Sequence, residues 1–201
     1  MNFLAHCLIG AQATQTENPA LIVGGFLGDF IKGPVPAELP ADLALGVRLH
    51  RRIDAYSNQH PGIRCSCARF PQHLRRMAPI FVDIIADHCL ARRWSEFSDE
   101  PITTFTRRTY QQIAGHTSWL SARGERFFRY MSEEDLLASY RHPETMHQGL
   151  RSITRRLGKE HLNSDLAAIA VEQLGRLEED FLEYFPDMLA HAKEWVRLEA
   201  E

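Results

Sequence analysis

Two aspartates and a histidine interrupt the otherwise apolar run 79–91 of the segment PIFVDIIADHCLARR, residues 79–93. At ~100° per residue, a helix here puts Ile80, Ile84, Asp87, His88 and Ala91 on one side, with Asp83 at its margin. Phe81, Val82, Ile85, Cys89 and Leu90 cover most of the remainder. A helix that is apolar nearly all round belongs in a core. Asp83 and Asp87 are four apart and project from the same face. A buried carboxylate without a partner is costly or takes up a proton, so this pair calls for arginines or a cation.

The segment 48–54, RLHRRID, supplies complementary groups. His50 and Asp54 are again four apart, and imidazole with carboxylate is a donor set for manganese, iron, zinc or magnesium. Arg51 and Arg52 lie between them and are suited to holding phosphate oxygens bidentately. Two further candidates are His6, in the opening apolar segment, and Asp29 in GGFLGDF, where Gly24, Gly25 and Gly28 allow close backbone approach. Each has a plainer reading: an ion pair at i, i+4, a hydrogen-bonded core histidine, glycines that only permit tight helix packing. Together, acids and imidazoles on several helices with arginines alongside fit metal-assisted phosphoester hydrolysis.

These groups need helices to carry them. Asn18-Pro19 is a helix start, with asparagine capping and proline at the first helical position, and its helix is expected to run to about Lys32. Residues 33–41 hold three prolines and form a loop. A third helix is expected over 41–57, ending before His60-Pro61-Gly62, and another over about 71–95. Ser132 to Asp135, before Leu136, reads as a capping box. From Asn163 to Leu198 apolar residues recur at three- and four-residue steps, predicting a long helix or a pair, kinked or broken near Pro186. No stretch alternates with period two. The expectation is an all-α, single-domain bundle of about seven or eight helices spanning 1–201.

A hydrophobic share of 44% with 24% charged residues is that of an ordinary globular chain. No apolar run approaches the ~18–20 residues of a membrane span, and MNFLAHCLIG lacks the basic flank of a signal peptide, so a cytoplasmic protein is expected. Cys7, Cys65, Cys67 and Cys89 are expected as free thiols, consistent with a reducing compartment. A net charge of −3 argues against nucleic acid as a partner. Arginines nonetheless crowd the middle of the chain, which points to phosphate or an acidic partner.

The NFLAH opening (Asn2 to His6), the GDF around Asp29 and LHRRIDA followed by His60-Pro61 resemble the acyl-carrier-protein phosphodiesterases. So do RRMAPIFVDIIADHCLARRW (Arg75 to Trp94) and FLEYFPDM (Phe181 to Met188). The resemblance implies an HD-like scaffold and hydrolysis of the phosphodiester between 4'-phosphopantetheine and a serine of holo-acyl carrier protein. The adjacent His-Asp dyad of a standard HD motif is absent, Asp87-His88 standing in reverse order. The implied cofactor is Mn²⁺, with Mg²⁺ or Fe²⁺ as alternatives, held by a subset of His6, Asp29, His50, Asp54, Asp83, Asp87 and His88. Arg51 would neutralise charge on the phosphoryl oxygens, and His60 or a neighbouring carboxylate such as Asp54 would protonate the leaving alkoxide. Carrier proteins present an acidic helix beside the modified serine, and Arg64, Arg69, Arg75, Arg76, Arg92 and Arg93 are the expected docking residues. Two other readings are an HD-like phosphohydrolase of small phosphoesters and a helical binding protein with internal ion-pair networks.

Overall fold

A computed structural model describes residues 1–199, and among these it contains helices and turns but no strand. The α-helices are α1 (Phe3–Gln12), α2 (Pro19–Leu27), α3 (Ala41–Ser57), α4 (Pro61–Ala68), α5 (Ala78–Arg92) and α6 (Ile102–Ala114). They continue as α7 (Ala122–Glu133), α8 (Leu136–Ser139), α9 (Pro143–Arg156), α10 (Asn163–Glu172) and α11 (Leu174–Glu199). No helix among the described residues is long and apolar enough to cross a membrane. All four cysteines are free.

The centre is built by helices with almost no polar face. Leu4 to Gly10 of α1 and Leu21 to Leu27 of α2 are buried without interruption, and α5 buries eleven of its fifteen residues. The Asn18 side chain caps α2, accepting from the Ala20 amide at 3.0 Å. α2 packs against both α1 and α3, and glycines set the distances. A Cβ on Gly24 would stand 2.4 Å from the Gly46 Cα, and one on Gly25 only 2.7 Å from the His6 carbonyl oxygen. Backbone therefore meets backbone, and side chains of α1 and α3 that flank α2 come within reach of each other.

Asp87 holds α1 in place. It is fully buried on α5, and its two carboxylate oxygens accept from the amides of Leu4 at 2.9 Å and Ala5 at 3.0 Å. Those amides belong to the first turn of α1, where no intrahelical acceptor exists. α11 lies against α1, α3, α4 and α5. Arg69 Nε and Nη2 donate to Asp180 at 2.7 and 2.6 Å, while Ser66 Oγ donates to the same carboxylate at 2.8 Å, fastening α4 to α11.

Four expectations change, the first being that α2 ends at Leu27, well short of Lys32. The helices are more numerous because short elements divide the chain: α8 is a single turn, and the segment after 71 is a tight turn until α5 begins at Ala78. The C-terminal break falls at Gln173, between α10 and α11, and Pro186 sits inside a continuous α11. Pro186 is exposed while Phe185 and Met188 are buried, so water can reach the carbonyl its missing N–H leaves free and packing holds the helix together. The capping box at Ser132 does not form: Ser132 Oγ donates to the Arg129 carbonyl in the last turn of α7, and Asp135 enters α8 in left-handed backbone with φ 42°.

Candidate metal centre

His6 reaches in from α1, and His50 and Asp54 from one face of α3. One donor atom from each lies within 4.8 Å of the others. His6 Nε2 is 3.0 Å from Asp54 Oδ1, His50 Nε2 is 3.3 Å from Asp54 Oδ2, and the two imidazoles stack with centroids 3.8 Å apart. Both histidines are buried, whereas the Asp54 side chain is 40% exposed. Burial and the neighbouring His50 pull His6 down to about 3, so its ring is neutral. Burial works against the charge on Asp54, yet the adjacent His50 and His6 rings hold its carboxyl well below the usual range.

The orientation of His50 gives the cluster its chemistry. His50 Nδ1 is 2.8 Å from the Gly25 carbonyl oxygen, which can only accept, so Nδ1 carries the proton. In the neutral ring Nε2 then directs a lone pair at a carboxylate oxygen that also has only lone pairs to offer. A proton or a cation between them relieves that contact. A carbonyl behind an imidazole is also the usual support of a metal-ligating histidine. Two imidazoles and a carboxylate so arranged fit a divalent transition ion.

The cluster opens onto a cavity of about 330 Å³ lined by Gly28, Asp29, Ile31, Lys32, Gly33, His50, Arg51 and Asp54. Asp29 is half-buried on its wall, and burial raises its carboxyl above the ordinary value. Arg51 Nη2 donates to the Ile31 carbonyl at 2.8 Å, keeping the guanidinium beside the opening. The buried Met1 ammonium lies 2.9 Å from Asp83 Oδ1 and 3.4 Å from Asp54 Oδ1. Burial works against that charge, but Asp83 and Asp54 raise its pKa to about 10.

A family model described as acyl carrier protein phosphodiesterase matches residues 1–188. The chain belongs to that family. Relatives named acyl carrier protein phosphodiesterase include one from Yersinia pestis, 30% identical over 96% of this chain and 98% of its own. Another, from Enterobacter sp. (strain 638), is 29% identical over 96% and 98%, and one from Salmonella newport (strain SL254) is 30% identical over 96% and 97%. No solved structure matches the chain. The family is one of phosphodiester hydrolases, and the match contains the whole His6, His50, Asp54 cluster.

Within this phosphodiesterase chain, the other sequence candidates separate. Asp29 and Arg51 share the cavity. Asp83 reaches the cluster through the Met1 ammonium. Asp87 is not brought to it, because both its oxygens serve the start of α1. Burial pushes its carboxyl up to about 7, and the amides of Leu4 and Ala5 oppose that rise. His88 points elsewhere: its Nδ1 donates to the Tyr140 carbonyl at 2.6 Å, and its Nε2 is buried without a partner. His60 caps α4, its Nδ1 accepting from the Gly62 amide at 3.2 Å, and its Nε2 faces Asp187 at 3.1 Å.

Half of the expected docking arginines are ion-paired internally. Arg69 is bonded bidentately to Asp180, and Arg92 and Arg93 both approach Glu178 of α11, Arg93 pairing with Glu96 as well. Arg75 Nε donates to the Phe70 carbonyl, while Arg64 and Arg76 are exposed. Sequence reasoning missed Lys32 and the Gly25 carbonyl. Lys32 follows Asp29 by three positions beside the Gly33 turn, a placement the sequence does display. A backbone acceptor leaves no such trace.

Proposed function

We propose that this chain hydrolyses the 4'-phosphopantetheine–serine phosphodiester of holo-acyl carrier protein, yielding apo-carrier and 4'-phosphopantetheine, on an HD-like scaffold. A divalent cation, manganese in the first place, would be held by His6, His50 and Asp54, with Asp29, which lines the same cavity, assigned as a further donor. When bound, it supplies a Lewis acid for the phosphoryl group and an activated water. The observation that carries the reading is the His50 lone pair aimed by the Gly25 carbonyl at Asp54, on the wall of a cavity that also holds Arg51 and Lys32.

The chain's own groups do the rest. Gly25 fixes the tautomer and tilt of His50, and the stacked His6 ring prevents it from swinging. Arg51, anchored on Ile31 by one nitrogen, keeps its remaining donors for the phosphate oxygens. Lys32 adds a second positive charge at the mouth, so the arriving phosphodiester and the charge that builds on it are both met. His60 is not assigned a proton-transfer role, since both its ring nitrogens are occupied away from the cavity lining.

The test is a mass assay of holo-carrier protein incubated with the enzyme and Mn²⁺, with and without chelator, beside a panel of free nucleotides. Metal-dependent loss of phosphopantetheine is expected. Cleavage of nucleotides with the carrier untouched would move the substrate to a small phosphoester, and no hydrolysis of either would sink the proposal.

A further inference from the structure

We infer that the outer edge of α7, formed by Arg123, Arg126 and Tyr130 together with Lys32 at the cavity mouth, is the surface on which the acidic carrier protein docks, an inference that rests on the carrier-protein reading above. The chemistry of the bond sets the requirement. The scissile phosphate is attached to a serine Oγ, one methylene from the carrier's own backbone. The flexible arm lies on the other side of the phosphorus and cannot serve as a spacer. When the phosphate reaches His6, His50 and Asp54, the body of the carrier must rest on the rim of the cavity, so the residues that hold it must lie on that rim.

α7 packs against residues that neighbour it. The Phe127 ring of α7 lies 6.0 Å from Phe30 and 5.0 Å from Phe3, and a Cβ on Gly124 would come 3.0 Å from the Phe30 ring. Phe30 stands between Asp29 and Ile31, both of which line the cavity. Phe3 is two residues from Met1, whose ammonium touches Asp54 and Asp83. Arg123 and Tyr130 are four before and three after Phe127, so they share the face that borders the site, with Arg126 alongside.

Charge and exposure agree with that placement. Arg123 and Arg126 are exposed and form no ion pair among the described residues, unlike Arg69, Arg92 and Arg93. Tyr130 is 48% exposed, an aromatic anchor one turn beyond Arg126. Of the nearby acids, Glu125 falls on the opposite edge of α7, while Glu133 and the capping Glu134 close this edge beyond Tyr130, at the C-terminal end away from Arg123. Two unpaired arginines and an exposed aromatic, on the helix that packs against Phe30 between the cavity-lining Asp29 and Ile31, complement an acidic helix.

The experiment compares wild type with Arg123→Glu/Arg126→Glu in the intact chain. KM and kcat are measured on holo-carrier with Mn²⁺, and Kd for the apo-carrier is measured separately by fluorescence anisotropy. KM and Kd should rise about tenfold, with kcat within about twofold and Tm unchanged. Raised ionic strength should weaken wild-type binding more than that of the variant. Unchanged KM and Kd overturn the inference. Should the double reversal melt early, Arg123→Gln/Arg126→Gln carries the same comparison, with a rise of about threefold expected. If wild type binds the carrier but releases no phosphopantetheine, the hydrolytic reading fails and the Kd comparison still decides the docking surface. Wild type that neither cleaves nor binds overturns both.

Discussion

Gly28→Ala tests the geometry of the centre with one methyl group. Gly28 follows α2 with φ −54° and ψ −31°, a conformation alanine adopts freely, so the backbone gives no reason for harm. The space does. A Cβ there would lie 2.2 Å from His50 Cγ and 2.5 Å from Cδ2, against an ordinary carbon–carbon approach of ~3.5 Å. The imidazole must retreat by roughly 1 Å or more. It has little room, with His6 stacked at 3.8 Å and Nδ1 held by Gly25 at 2.8 Å. Overpacking of this kind costs ~1–3 kcal/mol of stability. An error of ~1 Å in a reacting group is worth ~100-fold in rate. We expect a folded variant with a modestly lower Tm, turnover of holo-carrier reduced about 100-fold, and a weaker rise in Tm on adding Mn²⁺. Gly175→Ala, where a Cβ meets nothing within 4 Å, is the control and should be neutral or slightly stabilising. A Gly28→Ala enzyme with turnover within about threefold of wild type and an undiminished Mn²⁺ response would show that His50 is not wedged as described.

Asp54→Asn keeps the size of the side chain and removes its charge, and should abolish the Mn²⁺-induced rise in Tm and lower turnover at least ~100-fold; a retained metal response by calorimetry would remove Asp54 from the donor set. Asp87→Asn leaves one oxygen for two amides of α1 and places an NH₂ group against the other, so chemical denaturation should show a loss of ~2 kcal/mol, and an unchanged midpoint would refute the capping role. Burial opposes the charge of Asp180, but hydrogen bonds from Arg69 and Ser66 hold its carboxyl below the ordinary 3.8. The stability this pair gives is therefore present above the unfolded pKa and lost as pH falls through the lower folded value. Asp180→Ala should cost ~2–3 kcal/mol at pH 7 and flatten the acid limb of the stability profile; a limb as steep as wild type would place the acid sensitivity elsewhere.

Much of the fold was legible because it follows from local rules. Asn18-Pro19 starts α2 by capping, and Ala41–Ser57 is bounded by Pro40 and the turn before His60-Pro61. Pro186 misled because a rule about isolated helices ignores the packing of Phe185 and Met188 and the exposure of the proline itself. The same limit applies to the site. His50 and Asp54 share a face by helical geometry alone, and the sequence named that pair.

What it could not assign was the partner each face would meet. Asp83, Asp87 and His88 looked like one cluster on paper, yet the packing of α5 sends Asp83 to the Met1 ammonium, Asp87 to the amides of α1 and His88 to Tyr140. His6, 48 positions from Asp54, joins it only because glycines let α1 and α3 close on α2. Residue types and their periodicity determined that this chain is helical and which donors it owns. Contacts between distant segments, fixed by shape and by the need to satisfy every buried polar group, decided which of those donors converge.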